Sequence, residues 1–436
     1  MKRLPLLAIA GFAMFLSFFP AVVQAATQTL TVLNPSGIRE DGSYVDESLK
    51  QGMQERSITI PRMANEFPRD GKETLQIKKD AAAEVNRLFY HRGWTDGLPI
   101  VPPTPELVEA MLQGSDLEPD FVVATIDPMG GQASVEKIAI NAVMAGCEPA
   151  HLPILIAAVE AVTNPDADLR GSATTTSPDA PMLIVSGSMV KDLGINDGTN
   201  TFGRGNKANA SISRAFHLVL QNVGGNWPGV TDMSCIGQPG DFVMFMAENT
   251  TAAPEWGPLH GTLGVPASRN AVTVLTAEGY HGILGIGQTS ERFLELAADK
   301  IRSDNWAYRK GVLLVIANDT AEQLVKDGWN RASIEAFIRE KSVVPLQEFK
   351  KFFVDTGADI GRSVPDWVVT ETDQTKLVPR PFFDKLLILV AGGVGEKSMV
   401  IPVWHQGKAI SREVRLPYNW QDLIKDTEDS PFSEKK

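Results

Sequence analysis

Leu386-Leu387-Ile388-Leu389-Val390-Ala391-Gly392-Gly393-Val394-Gly395 decides the fold class of this 436-residue chain. An unbroken apolar run this short, ended by glycines, reads as a strand covered on both faces. The same rhythm recurs upstream. Met182 to Val185 ends at Ser186-Gly187-Ser188, Val272 to Leu275 runs on to Gly279, Gly311 to Ala317 ends at Asn318-Asp319, and Phe121 to Ile126 ends at Asp127-Pro128-Met129-Gly130-Gly131.

Helical stretches separate these runs. From Lys78 to His91, Ala81, Ala82, Val85, Leu88 and Phe89 share one face at a 3.6-residue period. Thr104 caps a helix with Pro105 at its first position, running to Leu112. Ser134 caps another, Ala150 to Val162 forms an apolar helix, and Asn209 to Leu220 a further one. Covered strands alternating with helices predict an α/β fold, layered, with mostly parallel or mixed sheets flanked by helices. Glycine and polar residues at the strand ends stand where open sheets bind ligands. The organisation expected is a signal peptide over 1–25, an extended N-terminal arm over 26–75, a main α/β domain over 76–300 and a C-terminal α/β lobe over 301–436. No linker marks the cut near residue 300.

The chain opens with Lys2-Arg3, an apolar run from Leu4 to Phe19, and Val23-Gln24-Ala25 before Ala26. That is the pattern of a cleavable secretory leader, and the apolar run is short for a bilayer span. The expected location is the periplasm, with no membrane span in the mature chain. Removing Lys2 and Arg3 leaves 41 minus 2 basic against 53 acidic residues, a charge of -14. Such a surface repels nucleic acid, and the basic groupings Lys78-Lys79 and Lys350-Lys351 form no patch. The partners expected are a small-molecule substrate and, as an open option, a second copy of the chain.

Cys147 and Cys235 are the two cysteines, and neither CxxC nor CxxCH occurs. They either form one long-range bridge or leave a buried or reactive thiol. Cys147 lies in Gly146-Cys147-Glu148-Pro149-Ala150-His151. The helix starting near Ala150 would lower its pKa, and His151 could take its proton; the plainer reading is a small thiol packed where two helices meet.

His91-Arg92-Gly93-Trp94-Thr95-Asp96 places imidazole, guanidinium, indole, hydroxyl and carboxylate on one glycine-rich turn. It suits an acid/base or anion site, or equally a structural corner packed on Trp94. Asn196 to Asn206, followed by Asn209, Ser211 and Arg214, is rich in asparagine and glycine. That composition implies positive-φ turns around a ligand, or a well-ordered surface loop. It is neither a Walker A nor an EF-hand loop.

Glu278 and His281 are three apart and would meet on a helical turn. With His260 or His91 they could form a two-His, one-carboxylate site for a divalent metal ion, although no HExxH motif is present. Glu248 and Glu255 add carboxylates nearby in sequence. Gly392 to Ser398 fails the phosphate-loop spacing, because Glu396 separates Gly395 from Lys397.

Three segments carry a resemblance: His91-Arg-Gly-Trp-Thr-Asp-Gly-Leu-Pro-Ile-Val-Pro-Pro-Thr-Pro105, Ala139-Ile-Asn-Ala-Val-Met-Ala-Gly-Cys147 and Ala208-Asn-Ala-Ser-Ile-Ser-Arg214. They resemble a largely uncharacterised bacterial family whose members look like neighbours or fusion partners of UGSC-type (seleno)proteins. The likeness covers residues 80 to 290 and the glycine-rich turn after Leu386. It implies that Asp96, Asn141, Cys147 and Arg214 belong to a shared pattern, and it brings no reaction with it. This chain lacks the Gly-Ser-Cys part of the UGSC motif, since Ser234-Cys235 is followed by Ile236-Gly237.

The function expected from these residues is an exported enzyme, hydrolase- or lyase-like, acting on a small polar or carboxylated substrate. Asp96, Cys147, Glu278 and His281 are the catalytic candidates, and His91, His260, Glu278 and His281 the metal candidates. Trp94, Asn196, Asn209 and Arg214 would bind substrate, with Arg214 holding the anion. The alternatives are a periplasmic ligand-binding or assembly protein without turnover, and a thiol-dependent oxidoreductase.

Overall fold

In the computed structural model of the chain, residues 28–38, 72–77, 80–303, 311–353, 367, 370–379 and 386–426 are described. The expected leader and Lys78-Lys79 lie outside them. Of the expected arm, residues 28–38 and 72–75 are described, and its strands β1 (Gln28–Leu33) and β2 (Lys72–Ile77) pair antiparallel with each other.

Helix α1 (Ala81–His91) starts at Asp80, whose side chain accepts from the Ala83 N–H, and α2 (Pro105–Leu112) starts at Thr104 as its sequence predicts. Strands β3 (Val122–Ile126) and β4 (Gly131–Ser134) form their own hairpin, apart from the main sheet. Ser134 caps α3 (Val135–Ala145), and Gly146, at φ 81°, ends it in a left-handed turn that a side chain would strain. Helix α4 (Leu152–Val162) follows.

The main sheet begins with β5 (Ala180–Ser186). Next comes α5 (Lys207–Asn222), capped by Asn206 and so starting two residues before the expected Asn209. Then follow β6 (Phe245–Ala247), β7 (Ala271–Ala277), β8 (His281–Leu284), α6 (Ser290–Ser303), β9 (Gly311–Ile316), α7 (Asn318–Lys326) and α8 (Arg331–Lys341). A small pair, β10 (Val343–Pro345) and β11 (Leu377–Pro379), precedes β12 (Leu386–Val390), β13 (Lys397–Val403) and β14 (Ile410–Glu413).

The sheet order is β12-β9-β13-β7-β5-β6, with β8 beside β13 and β14 beside β7. Only β12–β9 and β5–β6 are parallel pairs, so the sheet is mixed. Period-two alternation sorts each strand between two cores. Leu386, Ile388 and Val390 of β12 pack against helices α6, α7 and α8, while Leu387 and Leu389 point to the opposite face. On that inner face, residues of β5, β6, β7, β9, β12 and β13 join one cluster. Leu259 is its buried member from outside the strands and their flanks.

A sheet face that packs mainly on itself must curl. The two edges are drawn together: the Asn249 N–H, just past β6, donates to the Val390 carbonyl of β12 at 2.8 Å. Arg331 donates to the carbonyls of Ile388, Trp256 and Gly257 along the same seam, near the buried carboxylate of Glu248.

The α/β class with flanking helices therefore holds, but the cut near residue 300 does not divide it. Strand β13 pairs with β9 on one side and with β7 and β8 on the other, and β14 returns to β7. Residues 301–436 supply half of one sheet, not a second lobe. Among the described residues no helix is long and apolar enough to cross a membrane.

Candidate active site

One face of α5 gathers the chemistry. Lys207, Ser211 and Arg214 stand at i, i+4 and i+7 and so project along one stripe. Two loops close on that stripe: the 93–98 turn after α1 and the 146–151 turn between α3 and α4.

Arg214 and Asp96 form a bidentate pair, Nε to Oδ2 at 2.7 Å and Nη2 to Oδ1 at 2.9 Å, with side chains 15% and 10% exposed. Two parallel charge-assisted bonds fix a guanidinium in one orientation. Nη2 also reaches the Leu98 carbonyl at 3.3 Å, and the Leu98 N–H donates to Asp96. No bond to Nη1 of Arg214 occurs among the described residues.

Further along α5, the Gln221 amide donates to the carbonyls of Gly93 and Thr95, and that of Asn222 to the carbonyl of Trp94. The turn is thus a structural corner that also sets Asp96 on Arg214. Trp94 itself is 1% exposed and packs edge-on against Phe89 at 5.1 Å, so it belongs to the core and does not line a ligand surface.

Cys147 faces the same stripe, beside Ser211, Lys207 and Arg214. The Ser211 hydroxyl donates to the Lys207 carbonyl at 2.7 Å. Lys207 Nζ meets Glu148 Oε1 at 2.8 Å. The Cys147 thiol is not acidic, contrary to what the nearby helix start suggests. Cys147 is half-buried against the hydrophobic core, and burial pushes its thiol up to about 12 against the pull of Lys207 and Arg214.

His151 is not positioned as the thiol's base. Its Nδ1 accepts from the Glu148 N–H at 3.1 Å, so Nε2 carries the proton. Burial, aided by the Lys207 charge, pulls this imidazole down to about 3. Cys147 and Cys235 are not bridged.

At neutral pH the site therefore holds two closed ion pairs, a protonated thiol and a neutral imidazole. With the thiolate fraction of Cys147 on the order of 10⁻⁴ at pH 8, iodoacetamide should label exposed Cys235 first and Cys147 only slowly. Peptide mapping over time checks this, and both cysteines should react at comparable rates in denaturant.

The other candidates sit elsewhere. Asn196 and Asn209 serve each other: the Asn196 N–H donates to Asn209 Oδ1 at 2.9 Å, and Asn209 Nδ2 donates to the carbonyls of Asn196 and Thr201. They stitch the loop together instead of presenting donors to a ligand. Glu278 and His281 do not share a helical turn, since Glu278 lies in the irregular link after β7 and His281 starts β8.

The proposed metal set does not assemble. His260 is sealed in the core against the Pro266 and Ala267 carbonyls without a well-formed bond, whereas His91 and His281 are exposed. Among the described residues no three His, Cys, Asp or Glu side chains gather to hold a metal ion. At the glycine-rich turn after β12, the Gly395 and Glu396 N–H groups already hold the Asp319 carboxylate, at 2.7 and 3.0 Å. An internal anion fills the nest that a phosphate would need.

Sequence reading passed over Lys207 and also His217, which lies near Asp96 and whose imidazole burial pulls down to about 4. The i, i+4, i+7 spacing of Lys207, Ser211 and Arg214 was the available signal.

Fold and site together define a mixed-sheet α/β protein in which two loops, one bearing a cysteine, form a polar cluster against one helix. No protein-family model and no curated protein sequence matches the chain.

Proposed function

We propose that the chain is an exported enzyme of hydrolase or lyase type, acting on a small polar or carboxylated molecule at the α5 face beside Cys147. The observation that carries this reading is the convergence of Asp96, Cys147 and Arg214, from three distant segments, on one stripe of α5. Asp96 spends Nε and Nη2 of Arg214, so Nη1 is the guanidinium edge left for a substrate carboxylate. Export follows from the leader pattern at residues 1–25, and the resemblance to the neighbours of UGSC-type proteins rests on the same three segments.

The protonated state of Cys147 counts against the oxidoreductase alternative. Thiol–disulfide exchange needs a thiolate, and no second cysteine is paired with this one. The closed ion pairs give a second reading, a binding protein without turnover.

A panel of small mono- and dicarboxylic acids tests the proposal by thermal shift. At least one should raise Tm in a concentration-dependent way, and Arg214→Lys, which cannot reproduce the fork, should lose most of that shift. NMR of the same mixtures separates turnover from binding alone. No shift with any acid, or an unchanged shift in Arg214→Lys, would sink the reading.

A further inference from the structure

The segment Leu33-Asn34-Pro35-Ser36-Gly37, which leads out of the last residue of β1, lies along α3 and the end of α5. The Leu33 N–H donates to the Pro103 carbonyl at 3.0 Å, the Gly37 N–H to that of Asn222 at 3.3 Å, and the Gln132 N–H to that of Gly37 at 3.1 Å. Lys137 Nζ donates to the Asn34 carbonyl, and Asn141 Nδ2 to the Pro35 carbonyl at 3.3 Å.

Two asparagines connect this seat to the site. Asn222 Nδ2 donates both to Asn141 Oδ1 at 2.7 Å and to the Trp94 carbonyl at 3.1 Å. Asp96, which clamps Arg214, is two residues past Trp94. Asn141 and Asn222 are both 0% exposed. Water cannot readily replace either partner there, so a broken link costs a buried polar group its bond.

We propose that the 33–37 strap is a positioning element of the site, holding the 93–98 turn through Asn141 and Asn222 so that Asp96 stays on Arg214. The idea rests on the α5 face being the working site, yet its test needs no substrate. The groups facing Cys147 are Glu148 on its own turn, Lys207, Ser211 and Arg214 from α5, and neutral His151 beside Lys207. Unseating the strap loosens Asp96 and leaves the Arg214 charge less neutralised, which favours the thiolate.

The Gly37→Ala/Lys137→Met double variant attacks the seat directly. A Cβ on Gly37 would meet Val223 Cγ1 at 2.6 Å and the Gln132 carbonyl oxygen at 2.7 Å. Methionine keeps the Lys137 volume but loses its bond to Asn34. Hydrogen exchange of residues 33–38 and 93–98 is followed together with the pH profile of Cys147 alkylation, and circular dichroism verifies the fold.

Strap and turn should lose protection together, and Cys147 should react about tenfold faster, its profile displaced by about one unit towards acid. A loosened strap beside an unchanged turn and thiol overturns the proposal. A strap that stays protected overturns it too, because these contacts would then not be what seats it. If the double variant does not fold, Lys137→Met alone is read by the same two criteria. Failure of every acid in the thermal-shift panel would leave this coupling untouched.

Discussion

Arg214→Met is expected to lower the unfolding free energy by about 3 kcal/mol at neutral pH, read from urea denaturation. The substitution keeps most of the aliphatic stem and removes the charge. It leaves the Asp96 carboxylate, 10% exposed, with its bond from the Leu98 N–H as the one remaining among those described. Most of the cost is that orphaned carboxylate, not the lost attraction. Because neither side chain is fully dry, the value belongs near the lower end for buried pairs.

Asp96→Asn should cost less, since an amide oxygen can still accept one guanidinium N–H. The double variant should therefore be less damaged than the two single losses added together. A loss below about 1 kcal/mol in Arg214→Met would mean that the pair behaves like an exposed surface bridge. The site would then lack the rigid guanidinium on which the functional reading depends.

The second large effect is acid lability centred on His151. Burial and the Lys207 charge hold its folded-state pKa near 3, below the ordinary 6.5. Below 6.5 the unfolded chain takes up a proton that the folded chain refuses, so this contribution is complete above 6.5 and is lost as pH falls towards 3. At pH 5 the gap is 1.5 units, about 2 kcal/mol.

His217 acts in the same sense, to a smaller degree because Asp96 and the Pro181 backbone partly oppose the effect of burial. Asp241 and Glu248, both raised by burial, act in the opposite sense: each gains stability as pH falls through its folded value. The bulk stability profile therefore mixes signs. The measurement is the difference between the wild type and His151→Asn, which keeps an acceptor near Nδ1 but cannot titrate. The stability lost between pH 7.5 and 5 should shrink by about 2 kcal/mol in the variant. Equal losses in both proteins would show that His151 is not held neutral by its surroundings.

The strands were legible because both-face burial leaves continuous apolar runs, and Leu386 to Val390 is buried at every position. Helix starts at Thr104 and Ser134 were legible from their caps. The start of α5 was missed by two residues, because Asn206, Asn209 and Ser211 are all plausible caps and only the hydrogen bond from the Asn209 N–H selects Asn206. Asp96, Cys147 and Arg214 were legible as candidates from their unusual settings. Trp94 was misjudged, because an indole on a glycine-rich turn has the same local sequence whether it packs inward or faces a ligand.

Local periodicity and capping chemistry act over a few residues, so the chain alone determines its elements, its α/β class and a short roster of reactive side chains. Contacts across more than a hundred positions depend on how the sheet curls and on which helix faces meet. Only that packing joined β13 to both halves of the sheet and set Asp96 on Arg214. It also kept His91, His260, Glu278 and His281 from forming a metal site, and it enclosed the Cys147 sulfur enough to hold its proton. Desolvation is a property of the surroundings in space, and neighbours in sequence do not reveal it.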